Sequence, residues 1–291
     1  MTAIIEPTPV ADTGPEPRPG VRATVRWAAG HVGLVAAVVV VATVALWALI
    51  PELFVHYDPY AVDTAHKLKP PSGAHWFGTD QLGRDLYARV VYGARASLTG
   101  SALAVGVAVL VGTLVGSAAG WFAGFTDGLL MRAIDVVLSI PGFLLAITLV
   151  VLLGFGVWQA GIAVGLTSSA TFARLIRSEV LEARTSAYVE AAITSGASTL
   201  DILRRHVIPN SIAPTIALIT VQFGIAIVWI ASLSFLGLGA QPPEPEWGRL
   251  VADGRNYIAT RGWLTLWPAL TVVAVVLATN HISRHVTRRS S

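Results

Sequence analysis

His281 and His285 stand four residues apart, a spacing that places both imidazoles on one helix face, as a zinc site requires. Two ligands do not complete a site. The residues between them, Ile282, Ser283 and Arg284, lack the glutamate of a zinc peptidase, and the nearby arginines repel a cation. The pair therefore reads first as interfacial residues at the end of an apolar stretch, and no metal is expected. Asp135 is an acid inside a long apolar run. Ionisable groups in such runs face protein or water and are functional candidates by default; the alternative is a structural pair with Arg132, one turn earlier, or with a backbone amine of a neighbouring helix. Pro141 follows one and a half turns later and removes a helical hydrogen bond, so a kink is expected beside the acid. The chain has no cysteine, which excludes disulfides, thiolate metal sites and a cysteine nucleophile. Neither of its two lysines, Lys67 and Lys69, follows a glycine, so no P-loop is present. No catalytic residue and no cofactor are expected. The chain must be passive, ion-coupled or driven by a separate motor.

The elements that position these groups are membrane helices. Of 291 residues, 54% are hydrophobic and 13% charged, against about 45–50% and about 25% for a soluble domain. The net charge of +3 is too small and too scattered for a nucleic-acid footprint. The skew of the basic residues towards arginine suggests a GC-rich bacterial genome. A helix needs about 20 apolar residues to cross a hydrocarbon core of roughly 30 Å. Six candidate windows appear, at 32–50, 97–122, 128–153, 158–172, 212–235 and 263–282, the fourth being short of that length. Their continuous hydrophobicity selects helices over a barrel. Arginine and lysine sort with a modest excess onto the side holding both termini, which makes that side cytoplasmic. The first window is too long for a signal-peptide core and has no small-residue cleavage site. Before it, Pro7, Pro9, Pro15, Pro17 and Pro19 mark an unstructured leader.

Gly112, Gly116, Gly120, Gly124 and Gly128 recur at every fourth residue, a stripe that favours close helix approach. The inner loop at 173–210 has the pattern of short amphipathic helices, with a break at Gly196 and a stop at Pro209. A helix, break and helix projecting from the membrane read as a docking element, or as a hairpin lying on the membrane surface.

The residues of this loop resemble a known pattern. Glu190-Ala191-Ala192, three residues, Gly196, and then Val207-Ile208-Pro209 are similar to the EAA loop of type I ABC importer permeases. Ile208 replaces the usual leucine, and Arg204-Arg205-His206 matches the peptide-transporting branch. Two further stretches, His75-Trp76-Phe77-Gly78-Thr79-Asp80-Gln81-Leu82-Gly83-Arg84-Asp85 and Leu233-Ser234-Phe235-Leu236-Gly237-Leu238-Gly239-Ala240-Gln241-Pro242-Pro243 with Trp247-Gly248, resemble the C-type permease subunit of oligopeptide, dipeptide and nickel importers. Asp135, shortly before Ser139-Ile140-Pro141, fits the same branch.

The resemblance implies an all-α membrane protein of six transmembrane helices with a MetI-like core, set in a bacterial plasma membrane with both termini cytoplasmic. The implied organisation is a disordered leader over 1–27, a first transmembrane helix over 28–50 and an extracytoplasmic segment over 51–96. A permease core over 97–285 carries the coupling loop, and a basic tail covers 286–291. The implied partners are a second homologous permease, two P-loop ATPase subunits, an extracytoplasmic binding protein and a peptide substrate. Tyr188, Val189, Glu190, Ala191, Ala192, Ile193, Gly196, Ala197 and Ser198 would seat in the ATPase subunit. Asp135, Ser139, Gln222 and Ser232 are the polar candidates for the translocation pathway. The outer segments 75–96 and 240–262 are candidates for docking the binding protein, and their Pro and Trp residues equally suit interfacial anchors. Nickel, glutathione or another small solute is the alternative cargo. An ion-coupled transporter using Asp135 leaves the inner loop unexplained, and a membrane hydrolase lacks a nucleophile.

Overall fold

A computed structural model describes residues 21–186 and 208–290. The expected coupling residues Tyr188 to Ser198 and the first twenty residues of the leader lie outside them. The described α-helices are α1 (Val21–Leu49), α2 (Leu86–Phe122), α3 (Gly124–Ser139), α4 (Gly142–Leu153), α5 (Val157–Arg184), α6 (Ile208–Phe235), α7 (Trp247–Gly254) and α8 (Trp263–Ser290). Short 3-10 turns at Pro51–Leu53, Thr64–His66 and Arg255–Tyr257 complete the regular structure. The all-α expectation holds, and no strand is present among the described residues.

Among the described residues, four helical stretches are long and apolar enough to cross a membrane: Val32–Leu49, Leu86–Phe122, Thr215–Phe235 and Trp263–His285. A fifth is made by α3 and α4 if that broken pair is one span, its arms bent by 95°. The expected kink at Pro141 is thus a corner: α3 ends at Ser139 and Pro141 caps α4. The fourth expected span, 158–172, is the apolar first half of α5. Arg174, Arg177, Glu179, Glu182 and Arg184 charge its second half, so α5 by itself is not a uniformly apolar span. Two boundaries also shift. α1 begins at Val21, inside the segment expected to be an unstructured leader. α2 begins about three turns before its expected window, because Asp85 caps it by accepting a hydrogen bond from Ala88 N (2.7 Å).

Small side chains pack the centre. Ala104, Ala146, Ala160, Ala163 and Ala226 are buried with Val150, Val164, Ile230 and Leu233, joining α2, α4, α5 and α6. A second cluster around Trp247 joins α1, α2, α6, α7 and α8 through Val44, Val90, Ile227, Leu250 and Val275. Lipid supplies no hydrophobic drive between helices, so close van der Waals fit of small residues must hold the bundle. The pairing of α2 with α5 is the most extensive, and glycine makes it so. A Cβ on Gly112 would lie 2.4 Å from Phe172 Cβ, one on Gly116 2.5 Å from Ala173 O, and one on Gly120 2.7 Å from Val180 Cβ. The stripe stops there. At Gly124 and Gly128 a Cβ would meet nothing within 4 Å, since α2 has already ended at Phe122.

Candidate functional site

The residues expected to couple to an ATPase follow α5 in the chain, and the last turns of α5 are fixed by three arginines. Arg177 donates from Nε and Nη2 to the two carboxylate oxygens of Asp127 on α3, at 2.5 and 2.6 Å. Such a forked pair fixes orientation as well as distance. Arg174 Nη2 donates to Asp135 Oδ1 at 2.6 Å. Arg184 Nη1 donates to the carbonyls of Gly120 (3.2 Å) and Trp121 (2.7 Å), satisfying free C-terminal acceptors of α2, and its guanidinium lies 5.8 Å from the Trp121 ring centroid. The segment 187–207 therefore leaves from a helix end keyed to both α2 and α3.

The four pathway candidates divide. Asp135 and Ser139 are exposed on α3; Asp135 pairs with Arg174 of α5 rather than with Arg132, one of the alternatives left open by the sequence, and Ser139 Oγ donates to Val136 O at 2.7 Å within its own helix. Gln222 is buried on α6. Ser232, three turns further along α6, lines a cleft of about 420 Å³ whose walls are otherwise apolar, among them Phe143, Val228 and Phe235. This cleft lies at the end of α6 remote from the coupling loop.

The segments expected to lie outside the membrane form a cap over the start of α2. Asp80 Oδ2 accepts from Arg84 Nε at 2.7 Å and lies 3.7 Å from Arg89 Nε, while Asp80 Oδ1 accepts from the backbone of Leu82 and Arg84. His75 Nδ1 is 2.8 Å from Asp85 Oδ2. Gly83 has φ +81°, and a Cβ there would lie 1.7 Å from Asp63 O, so only glycine closes the turn. Trp247 is fully buried and donates from Nε1 to Val90 O at 2.9 Å; it is a core residue, which corrects its reading as an interfacial anchor. Trp76 remains exposed.

Glu246, which the sequence reading passed over, is also fully buried. It accepts from Ser97 Oγ at 2.9 Å and from Arg249 N at 3.0 Å, capping α7 and tying it to α2. Burial pushes its carboxyl above the ordinary value, against hydrogen bonds from the backbone of Gly248 and Arg249 and from Ser97 that hold it down. The available signal was an acid at the cap position, three residues before the Arg249 amide it serves. His281 and His285 have ring centroids 5.0 Å apart, and His281 packs against Gly33. No group of three or more metal-ligating side chains is found among the described residues.

Residues 108–291 match the family described as the binding-protein-dependent transport system inner membrane component. A dipeptide transport system permease protein of Alkalihalophilus pseudofirmus is 38% identical over 84% of this chain and 80% of its own length. A probable D,D-dipeptide transport system permease protein of Escherichia coli is 37% identical over 84% and 82%. A glutathione transport system permease protein of Shigella flexneri is 46% identical over 72% and 69%. Among solved structures, the inward-facing MetNI methionine ABC transporter matches with TM-score 0.53 at 18% identity, over 68% of this chain and 96% of the matched one. An amino acid ABC transporter structure matches with the same TM-score at 17% identity, over 70% and 94%. At these identities the structural matches establish the fold.

Proposed function

This chain belongs to the inner-membrane components of binding-protein-dependent transport systems, and from that premise we propose that it forms half of the pore of an ATP-driven importer of dipeptides or oligopeptides. The observation that carries the cargo is the alignment over 84% of the chain with permeases named for dipeptide transport. A second homologous permease completes the pore, two P-loop ATPase subunits drive it, and an extracytoplasmic binding protein delivers the peptide. Both termini face the cytoplasm. A second cargo, glutathione, is favoured by the 46% identity to a glutathione permease.

Coupling needs contacts that differ between two states. The segment around Glu190 to Gly196 seats in the ATPase subunit, where Ala191, Ala192 and Gly196 allow close approach and Glu190 accepts a hydrogen bond or pairs with an arginine. Closure of the ATPase dimer draws this segment inward. Because Arg174, Arg177 and Arg184 key α5 to α2 and α3, the displacement is passed to those helices rather than absorbed at the end of α5. On its other side the loop continues into α6, which carries Gln222 and Ser232 towards the outer cleft. The binding protein makes the main selection, since a pore for varied peptides must tolerate many side chains. Asp135, paired with Arg174 at 2.6 Å, serves as a tie between α3 and α5.

The test is affinity purification from the native membrane, with uptake assays of dipeptide and glutathione, comparing the unmodified chain with Glu190→Lys. The expected result is copurification of P-loop ATPases and a second permease, loss of the ATPases from the variant, and a fall in uptake of at least about tenfold. A chain recovered alone, or a variant that imports at the unmodified rate, overturns the reading.

A further inference from the structure

The apolar cleft beside Ser232 does not end on apolar surface. Phe235 and Leu236, which form part of its wall, also line a second, smaller cavity of about 150 Å³ with Gly237, Arg249, Asp253 and Arg255. That is the volume of about five waters. The two cavities are therefore neighbours across one pair of side chains, at the end of α6 remote from the coupling loop.

Their chemistries differ. Arg249 Nε is bound to Asp253 Oδ1 at 3.0 Å, which cancels one charge of each sign. Arg255 is exposed and forms no ion pair among the described residues; its guanidinium lies 6.0 Å from the Phe235 ring centroid. The small cavity thus carries one uncompensated positive charge, on a planar fork suited to a carboxylate, while the adjoining cleft offers about 420 Å³ with Ser232 as its polar contact. A guanidinium next to an apolar hollow complements a group with a carboxylate at one end and a hydrocarbon side chain beside it.

We propose that these two cavities form a transit site for the C-terminal end of a short peptide, Arg255 taking the terminal carboxylate and the cleft beside Ser232 taking the last side chain. This rests on the reading of the chain as a peptide permease and gives that pore its first point of contact with cargo. The cleft has no directional polar lining beyond Ser232, so the contact selects for a free carboxylate and for side-chain volume rather than side-chain identity.

The experiment uses the complete importer, with its second permease, ATPases and binding protein, in sealed vesicles, and measures initial uptake of dialanine and dileucine. Three variants are compared: Arg255→Met, which keeps a long side chain without charge; Arg255→Lys, which keeps the charge; and Ser232→Trp, which fills the cleft. The binding protein is the same throughout, so its own preference cancels in every ratio. Arg255→Met is expected to lower uptake of both peptides about tenfold and Arg255→Lys by a smaller, intermediate factor, because the ammonium keeps the charge and loses the fork. Ser232→Trp is expected to lower dileucine uptake about tenfold while dialanine falls far less. Equal losses in the Met and Lys variants, or equal losses of the two peptides in Ser232→Trp, overturn the transit site while leaving the peptide permease standing. If the unmodified importer moves neither peptide, the peptide reading itself fails and the site falls with it.

Discussion

Removing a carboxyl group from water is costly unless other hydrogen bonds replace the lost hydration, and Glu246, with no exposed surface, relies on Ser97 and the first turn of α7 for them. Desolvation still prevails and raises its pKa above the ordinary 4.5. Between that value and the raised native one, the folded chain binds more protons than the unfolded chain, so this group's contribution to stability is present below 4.5 and lost as pH rises through the native pKa. Glu246→Gln should flatten that slope. Thermal unfolding in detergent from about pH 5 to pH 8 is expected to show the variant gaining on the parent as pH rises; a parallel pair of curves would contradict it. The sequence revealed the membership of this region and not its internal wiring. Gly78, Asp80 and Gly83 stand out as a motif, yet the pairing of Asp80 with two arginines and the seating of Trp247 on Val90 O depend on how two distant segments meet.

Between elements, the contact of α2 with α5 governs the part of the bundle nearest the coupling loop. Gly112, Gly116 and Gly120 were legible as a packing stripe because a fourfold repeat keeps one face of a helix small. Their extension to Gly124 and Gly128 was not real, since a break at Ala123 turns the chain away. Gly116→Leu should separate the two helices and destabilise the chain by about 1–3 kcal/mol, read as a lower detergent unfolding midpoint, whereas Gly128→Leu should leave that midpoint nearly unchanged. The Asp127–Arg177 fork acts at the same scale. Asp127→Asn leaves Arg177 without its charge partner and should reduce uptake more than it reduces unfolding temperature, because its task is to hold α5 against α3 when the loop is pulled. The corner at Pro141 was foreseeable as a break, but its 95° opening is set by packing of α4 on α5 and α6, which local residue preferences do not contain.

For the whole molecule, the sorting of positive charge predicts that the proposed coupling loop lies in the cytoplasm and the cap over α2 on the opposite side. The absence of native cysteine makes this directly measurable. Gly73→Cys, at an exposed position where a Cβ meets nothing within 4 Å, should react with a membrane-impermeant maleimide in intact cells. Thr185→Cys, exposed at the end of α5, should react only after permeabilisation; the reverse pattern would invert the topology. The right-angled junction of α3 and α4 adds a condition that comes from the lipid rather than the protein. Arms of 16 and 12 residues are about 24 and 18 Å long, and at this angle their far ends lie only about 30 Å apart. That diagonal barely equals the hydrocarbon thickness of an average bilayer, with no spare length to tilt. If α3 and α4 cross as one span, a thicker membrane must thin around this junction, at a cost of fractions of a kcal/mol per Å, and uptake is expected to slow in vesicles of longer acyl chains.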